Sequence, residues 1–281
     1  MANVDVNRVA GNIGALNSLY SLRQVNQDLA TRQARLQTGK RLLSAADDPA
    51  GMNIATSFDI RRNAMKTTLN AIGDAKNLMS TAEGGLTKIQ DILVKMQNKA
   101  LEAVGDTIGQ DQRDAIVDQL NAYRTEIDDI VAQTQWNGRA LLSATALGTF
   151  LTGVDSSGSV ATTAQATLGT ASNSTGLGLT ASFAITDTAS ANTALGSIAT
   201  ALSRVKGNVS DLGAFSARLS FKEESLTVAH SNVEAAYNRI MNADMAEEQV
   251  EASKLLILQQ TSSAMLAQAN SAPQFLLSLF R

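Results

Sequence analysis

The residues able to do chemistry are few, and their spacing does not suit it. In 281 residues there is one histidine, His230, and no cysteine. A zinc peptidase site needs two histidines one helical turn apart with a glutamate beside the first, as in His-Glu-x-x-His. A lone His230, flanked by Ala229 and Ser231 on a stretch of helical spacing, cannot supply it and reads as a structural or surface residue. Without cysteine there is no thiolate nucleophile, disulfide framework or sulfur-based metal site. The carboxylates Asp47 and Asp48 have no second acid–base partner near them in sequence. Asp48 stands directly before Pro49, which is how a helix starts. The side-chain oxygen caps the first turn, and proline has no N–H to leave unpaired there. Gly11-Asn12-Ile13-Gly14 lacks the preceding strand and the following Lys-Ser/Thr of a phosphate-binding loop. No catalytic residue, metal ligand or cofactor is expected, and an enzyme is disfavoured.

The unusual feature lies at the two ends. From Ala252 to Phe280 the only charge is Lys254, and apolar residues step along at Leu255, Leu258, Met265, Leu266 and Ala269, with Leu276 and Leu277 beyond. From Val9 to Leu22 there is no charge, and the steps are Ile13, Leu16, Leu19 and Leu22. Chain ends are normally polar and frayed. Striped, nearly neutral ends are costly to leave in water, so both are expected to be covered, as one assembly surface. Pro273 is expected to break the last helix, because proline has no N–H to donate.

Composition agrees. The net charge is −3, from 23 basic and 26 acidic side chains, with no basic block to suggest nucleic acid or an anionic membrane. The longest apolar run near either end, Leu255–Leu258, is far short of the ~20 residues of a membrane span. MANVDVNR has neither the basic nor the apolar region of a secretory signal. Aromatics are 4%, with alanine and serine in their place, which suits long helices lying close together.

The elements that position these ends are long helices. A first helix is expected from Ile13 to about Leu43, and a second from Pro49. Within the second, Ile72, Ala75, Met79, Ala82, Leu86, Ile89, Leu93, Met96, Ala100 and Ala103 alternate steps of 3 and 4 without a fault. A strict heptad of this kind implies a coiled coil. A helix from Leu69 to Val104 would span roughly 54 Å at ~1.5 Å per residue. Gly84-Gly85 lies inside it, and the repeat continues across the pair. Ile116, Leu120, Tyr123, Ile127 and Ile130 mark a third helix, and Asn137-Gly138 a tight turn before a short strand at Arg139–Leu142. Leu212, Phe215, Leu219, Leu226, Ala229, Val233, Tyr237 and Ile240 mark another helix, from near Ala189 to about Asn242, with Lys222 in one apolar slot. The last helix begins near Ala246.

Between the helical halves, Ala140–Ser203 has no Lys or Arg, and only Asp155 and Asp187 as acids. Leu179, Ala181, Phe183 and Ile185 alternate with polar residues, a half-buried strand pattern, and Gly153–Gly158 reads as a turn. The expected fold is mainly α: long antiparallel coiled-coil helices with a small β-rich central insert at the far end of the helical hairpin. The expected segments are a first inner-core helix (1–43), one half of an outer helical layer (44–141), the exposed insert (142–188), the other half (189–242) and a last inner-core helix (243–281).

Three stretches carry a family resemblance: LQTGKRLLSAADDPAGMNIA (36–55), LMSTAEGGLTKIQDIL (78–93) with NAYRTEIDDIVAQTQWNG (121–138), and the end from Asn238 to Arg281. The chain resembles the bacterial flagellins over nearly everything outside the insert. The resemblance implies a subunit that self-assembles into the helical tube of the flagellar filament, outside the cell, with the terminal helices innermost. It also implies passage through the flagellar export apparatus, a flagellin chaperone, and hook-associated and cap proteins as partners. Flagellins sensed by the animal flagellin receptor carry Leu-Gln-Arg-Val-Arg-Glu-Leu-Ala in the heptad helix. Here Leu93, Met96 and Ala100 stand with Val94, Lys95, Gln97, Asn98 and Lys99; Lys95 keeps its charge and the other four depart. Weak or absent receptor activation is expected. Two alternatives of the same helical type are a hook–filament junction protein, which would stop after a ring, and a secreted coiled-coil adhesin, which would not need neutral helices at both ends.

Overall fold

The computed structural model describes residues 12–155, 157–179 and 182–278. Along these the order is α1 (Ile13–Thr38), α2 (Pro49–Ala103), α3 (Gln110–Gln133), β1 (Gln135–Trp136), β2 (Arg139–Ala140), β3 (Ala146–Val154), β4 (Val160–Thr167), α4 (Ser174–Leu177), α5 (Thr188–Met241) and α6 (Met245–Ser278). Two compact units form: Met1–Asp59 with Glu234–Arg281, and Ile60–Val233.

The core of the Ile60–Val233 unit is the α2 heptad row. All ten of its residues, from Ile72 to Ala103, are buried. Burying each large member contributes about 1.5–3 kcal/mol, and the interspersed alanines let neighbouring helices come close. From α3 come Ile116, Leu120, Ile127 and Val131, and from α5 Ile198, Val205, Leu212, Phe215 and Leu219. The helices α2 and α5 run antiparallel. Lys76 Nζ donates to Glu223 Oε2 at 2.8 Å, while Thr188 at the start of α5 donates to Asp106, just beyond α2, at 2.7 Å. Buried Thr68 needs no second helix, since its hydroxyl donates to the Ala64 carbonyl one turn back.

Asn137 and Gly138 both have positive φ, 50° and 76°, in the two-residue turn joining β1 to β2. That turn type matches strand twist, and Asn-Gly is its preferred pair. The strands β3 and β4 form a second antiparallel hairpin, from Ala146 opposite Thr167 to Val154 opposite Val160. It does not stand off the far end of the helices. The Phe150 ring lies 6.0 Å from Phe215 of α5. At its turn, Gly158 (φ 83°) lies so close to Ile60 of α2 that a Cβ would come within 2.8 Å of Ile60 Cγ2. The charge-poor segment is thus laid back on the helices, and it adds Leu147, Ala166, Leu168, Leu177 and Leu179 to the core.

Among the described residues no strand forms over the stretch expected at Leu179–Ile185. Leu179 and residues 182–185 are irregular, and Thr180 and Ala181 lie outside the described residues. Their donors meet a side chain instead of a neighbouring strand, for Phe183 N and Ser182 Oγ both donate to Asn121 Oδ1 on α3. The alternation reflects one-sided burial of Leu179 and Ile185.

In the other unit, α1 ends at Thr38 rather than Leu43. Gly39 adopts the left-handed conformation (φ 68°) and donates its N–H to the Arg35 carbonyl, a helix stop that glycine makes cheaply. Asp48 caps α2 through Gly51 N at 2.9 Å. The break between α1 and α2 is stitched to the break between α5 and α6, because Arg41 N donates to Met241 O and Ala243 N to Gly39 O. Leu42, Ala55 and Met241 bury one another beneath it. Pro273 does not end α6, which continues to Ser278. One proline deletes a single donor, and the carbonyl that this donor would have met, on Ala269, accepts from Asn12 Nδ2 at 2.6 Å.

Candidate assembly surface

The paired terminal helices carry the residues that the sequence marks as candidates for assembly. Polar links join Asn12 to Ala269, Asn26 to Gln259 and Arg32 to Glu248, so α1 and α6 run antiparallel. Between them runs a seam of buried and half-buried residues at steps of 3 and 4: Ala15, Ser18, Leu22, Val25, Leu29, Arg32 and Leu36 on α1. On α6 the seam is Ala252, Leu255, Gln259, Ser262, Leu266 and Ala269. At one end of it Glu248, only 5% exposed, accepts from Arg32 at 2.8 Å and Arg35 at 3.4 Å. That hydrogen bond holds the Arg32 pKa above its ordinary value.

The residues picked out by sequence divide between two environments. Leu19, Leu22, Leu255, Leu266 and Ala269 are half-buried against the partner helix. Ile13, Leu16, Leu258 and Met265 point away from it and are exposed. The side chains of Leu276 and Leu277 lie outside the described residues. Sequence reasoning missed four further exposed members: Tyr20, Val250, Leu256 and Ile257. The signal was present in seven-residue spacings, Ile13 to Tyr20 and Val250 to Ile257, running beside the chosen row. Exposure of these eight large apolar residues ranges from 41% at Leu258 to 71% at Tyr20. A helix apolar around its whole circumference belongs in an interior, yet α1 covers α6 along one side only.

Elsewhere, Ile72, Met79, Leu86, Ile89, Leu93 and Met96 are interior residues of the other unit, with no access to a ligand. Val94, Lys95 and Asn98 are exposed on α2, Gln97 and Lys99 half-buried, and Lys99 donates to Glu102 at 2.8 Å. His230 is half-buried on α5. Among the described residues no cluster of His, Asp and Glu could hold a metal ion, and no helix is long and apolar enough to cross a membrane.

A family model for the bacterial flagellin N-terminal helical region matches residues 9–146, and one for the C-terminal helical region matches 195–280. A flagellin of Bacillus subtilis is 31% identical over 98% of this chain and 100% of its own length. The chain belongs to the bacterial flagellin family. Another relative, a flagellar filament 33 kDa core protein of Treponema phagedenis, is 27% identical over 96% of this chain and 98% of its own. A solved structure described as a flagellar hook-associated protein, from Vibrio parahaemolyticus, superposes with a TM-score of 0.55 at 16% identity, covering 70% of this chain and all of that one. That likeness is one of fold. The two flagellin models meet the chain on either side of the β3–β4 hairpin, and the seam and outer face of α1 and α6 lie inside them.

Proposed function

We infer that this flagellin is a structural subunit of the flagellar filament, joined to further copies of itself through the apolar sides of α1 and α6 that their own pairing leaves uncovered. The observation that carries this is the ring of exposed apolar residues on α6, flanked over 252–280 by a single charge. Covering one such side chain contributes about 1.5–3 kcal/mol, so eight per subunit give a strong drive to associate. Copies related by a rotation that does not close stack into an open helical lattice. The role is mechanical, and the chain is read as a non-enzyme.

The finer parts of the reading follow from the same uncovered helices. A surface this apolar needs cover at every stage, which supports a chaperone before export, passage through the flagellar export apparatus, and hook-associated and cap proteins at the filament ends. The finished polymer then stands outside the cell.

The test is growth from filament fragments seeded into purified protein and followed by electron microscopy. Val250→Asp and Ile257→Asp should each abolish elongation while the melting of the Ile60–Val233 unit stays unchanged. Elongation of both variants at the wild-type rate would remove α6 from the interface.

A further inference from the structure

We propose that the cleft between the β3–β4 hairpin and α5 takes a carboxylate from the acidic face of α3 on a second copy. Lys222 is the first pointer, because it stands in an apolar slot of the α5 repeat, three residues after Leu219 and four before Leu226. With Arg218, one turn back, it lines a cleft of about 200 Å³ whose other wall is Thr152, Thr162 and Thr163 of the hairpin. Buried Phe215 forms the floor, and the Arg218 guanidinium lies 5.9 Å from the centre of its ring. Among the described residues no carboxylate lines this cleft. One turn before Arg218 and one turn after Lys222 come Ala214, Phe215, Ser225 and Leu226, and Asp211 on the same side of α5 is two turns off. Neither cation makes an ion pair among the described residues. A guanidinium and an ammonium beside threonine hydroxyls are donors without an acceptor, and a carboxylate is the group that accepts from both.

The same molecule carries that group elsewhere. Asp111, Asp114, Asp118, Glu126 and Asp129 of α3 are all exposed, and their spacing puts them within about a third of the helix circumference. None of the five makes an ion pair among the described residues. The two arginines of α3, Arg113 and Arg124, are half-buried, and Arg113 donates to the carbonyls of Thr186 and Gly105. Within one copy the patches lie apart along the helices. Glu223, next to Lys222, meets Lys76 of α2, whereas α3 begins its run beside α2 only at Gly85, where a Cβ would touch Thr134. Nine residues of helix separate those levels, roughly 14 Å. Complementary patches at different places on one surface make a heterologous contact, the kind that stacks copies without closing, and opposite charge aligns them. The pairing rests on the reading of the chain as a subunit joined to its own copies, and adds a polar contact to the apolar one on α1 and α6.

The experiment reverses charge in the full chain, on one side and then on both. Arg218→Glu with Lys222→Glu, and separately Asp118→Lys with Asp129→Lys, should each raise the critical concentration for seeded growth about ten-fold, as attraction becomes repulsion. Joining all four restores the net charge and should return the value to within about three-fold of wild type. Restoring net charge instead through Asp74→Lys and Glu83→Lys on α2 should not. At about 1 M salt, where charges reach only ~3 Å, each penalty should shrink to about two-fold. Thermal melts check that the Ile60–Val233 unit is intact in every variant. The second reading needs no growth. Carbodiimide coupling in a mixture of isotopically light and heavy copies should join Lys222 of one copy to an α3 carboxylate of another. Growth unaffected by either reversal, rescue by the α2 substitutions as good as by those on α3, or coupling of Lys222 only to carboxylates outside α3 would each overturn the pairing. Wild-type protein that couples at α3 but does not lengthen seeds would sink the filament reading and keep the pairing.

Discussion

Glu248 concentrates the charge of the terminal helix pair. It is nearly enclosed, and its two oxygens are shared between Arg32 and Arg35. Replacing it by glutamine keeps the shape and removes the charge that two guanidinium groups face. Glu248→Gln should weaken the pairing by about 1–2 kcal/mol, since both arginines keep some access to water. The measure is faster amide exchange across residues 25–36, and unchanged exchange would assign the pairing to the apolar seam alone. A different residue sets a pH response. Asp187 Oδ1 accepts from Ser190 Oγ at 2.6 Å and Ser190 N at 2.7 Å at the start of α5, which holds its carboxyl below the ordinary range. A depressed pKa means that its contribution is present above the unfolded value of about 3.9 and is lost as pH falls through the lower folded value. Asp155 and Asp47 shift in the same direction, through Ser157 and through the backbone N–H groups of Leu43 and Ser44. The clean comparison is therefore between wild type and Asp187→Asn. Their difference in melting temperature should shrink between pH 7 and pH 2.

At the scale of the element, the adjacent glycines of α2 separate two effects. A Cβ at Gly84 would meet nothing within 4 Å, whereas one at Gly85 would lie 2.6 Å from Thr134 Oγ1 and 2.8 Å from Leu142 Cδ1. Alanine in a helix gains about 1 kcal/mol over glycine in either place. Gly84→Ala should therefore raise the stability of the Ile60–Val233 unit by about 0.5–1 kcal/mol. Gly85→Ala should lower it by about 1–3 kcal/mol, because the chain after α3 must move aside. Thermal melts of the two variants check this, and a gain in both would mean that the approach is looser than the distances imply. Similar close fits explain why the central segment lies on the helices. Asn208 of α5 donates to the Thr170 carbonyl at 2.9 Å and accepts from Thr170 N at 3.2 Å, and Asp128 of α3 takes both donors of Ser174. Each pin replaces a strand partner that the segment lacks.

Considered whole, the molecule hides its strongest heptad row and shows its weakest amphipathic helix. The row on α2 is internal, while α6 offers apolar residues on sides that α1 does not reach. The same division bears on an outside partner. The α2 face bearing Val94, Lys95 and Asn98 is exposed, and Lys99 is turned to Glu102 at its edge, where the receptor-sensed pattern has leucine. A receptor built for an apolar contact there would meet an ammonium already paired. A reporter-cell assay with purified protein should give weak or no activation, and full potency would show that recognition does not depend on this stretch.

The strict 3,4 spacing from Ile72 to Ala103 was enough to place the α2 row in an interior, because side-chain direction on a helix follows from position alone. The Asp48-Pro49 start and the Asn137-Gly138 turn were legible for the same reason, since each is a local backbone preference. Which way α1 and α6 turn their stripes was not local. Ile13, Leu16 and Leu22 stand in one stripe of the sequence; the register with α6 turned Leu22 into the seam and left Ile13 and Leu16 exposed. The alternation at Leu179–Ile185 suggested a strand, but a strand needs a neighbour, and the fold supplies Asn121 in its place. Pro273 reads as a helix end from its missing N–H; in the fold α6 continues through it, and the Ala269 carbonyl that this N–H would have met accepts from Asn12 at the far end of the chain.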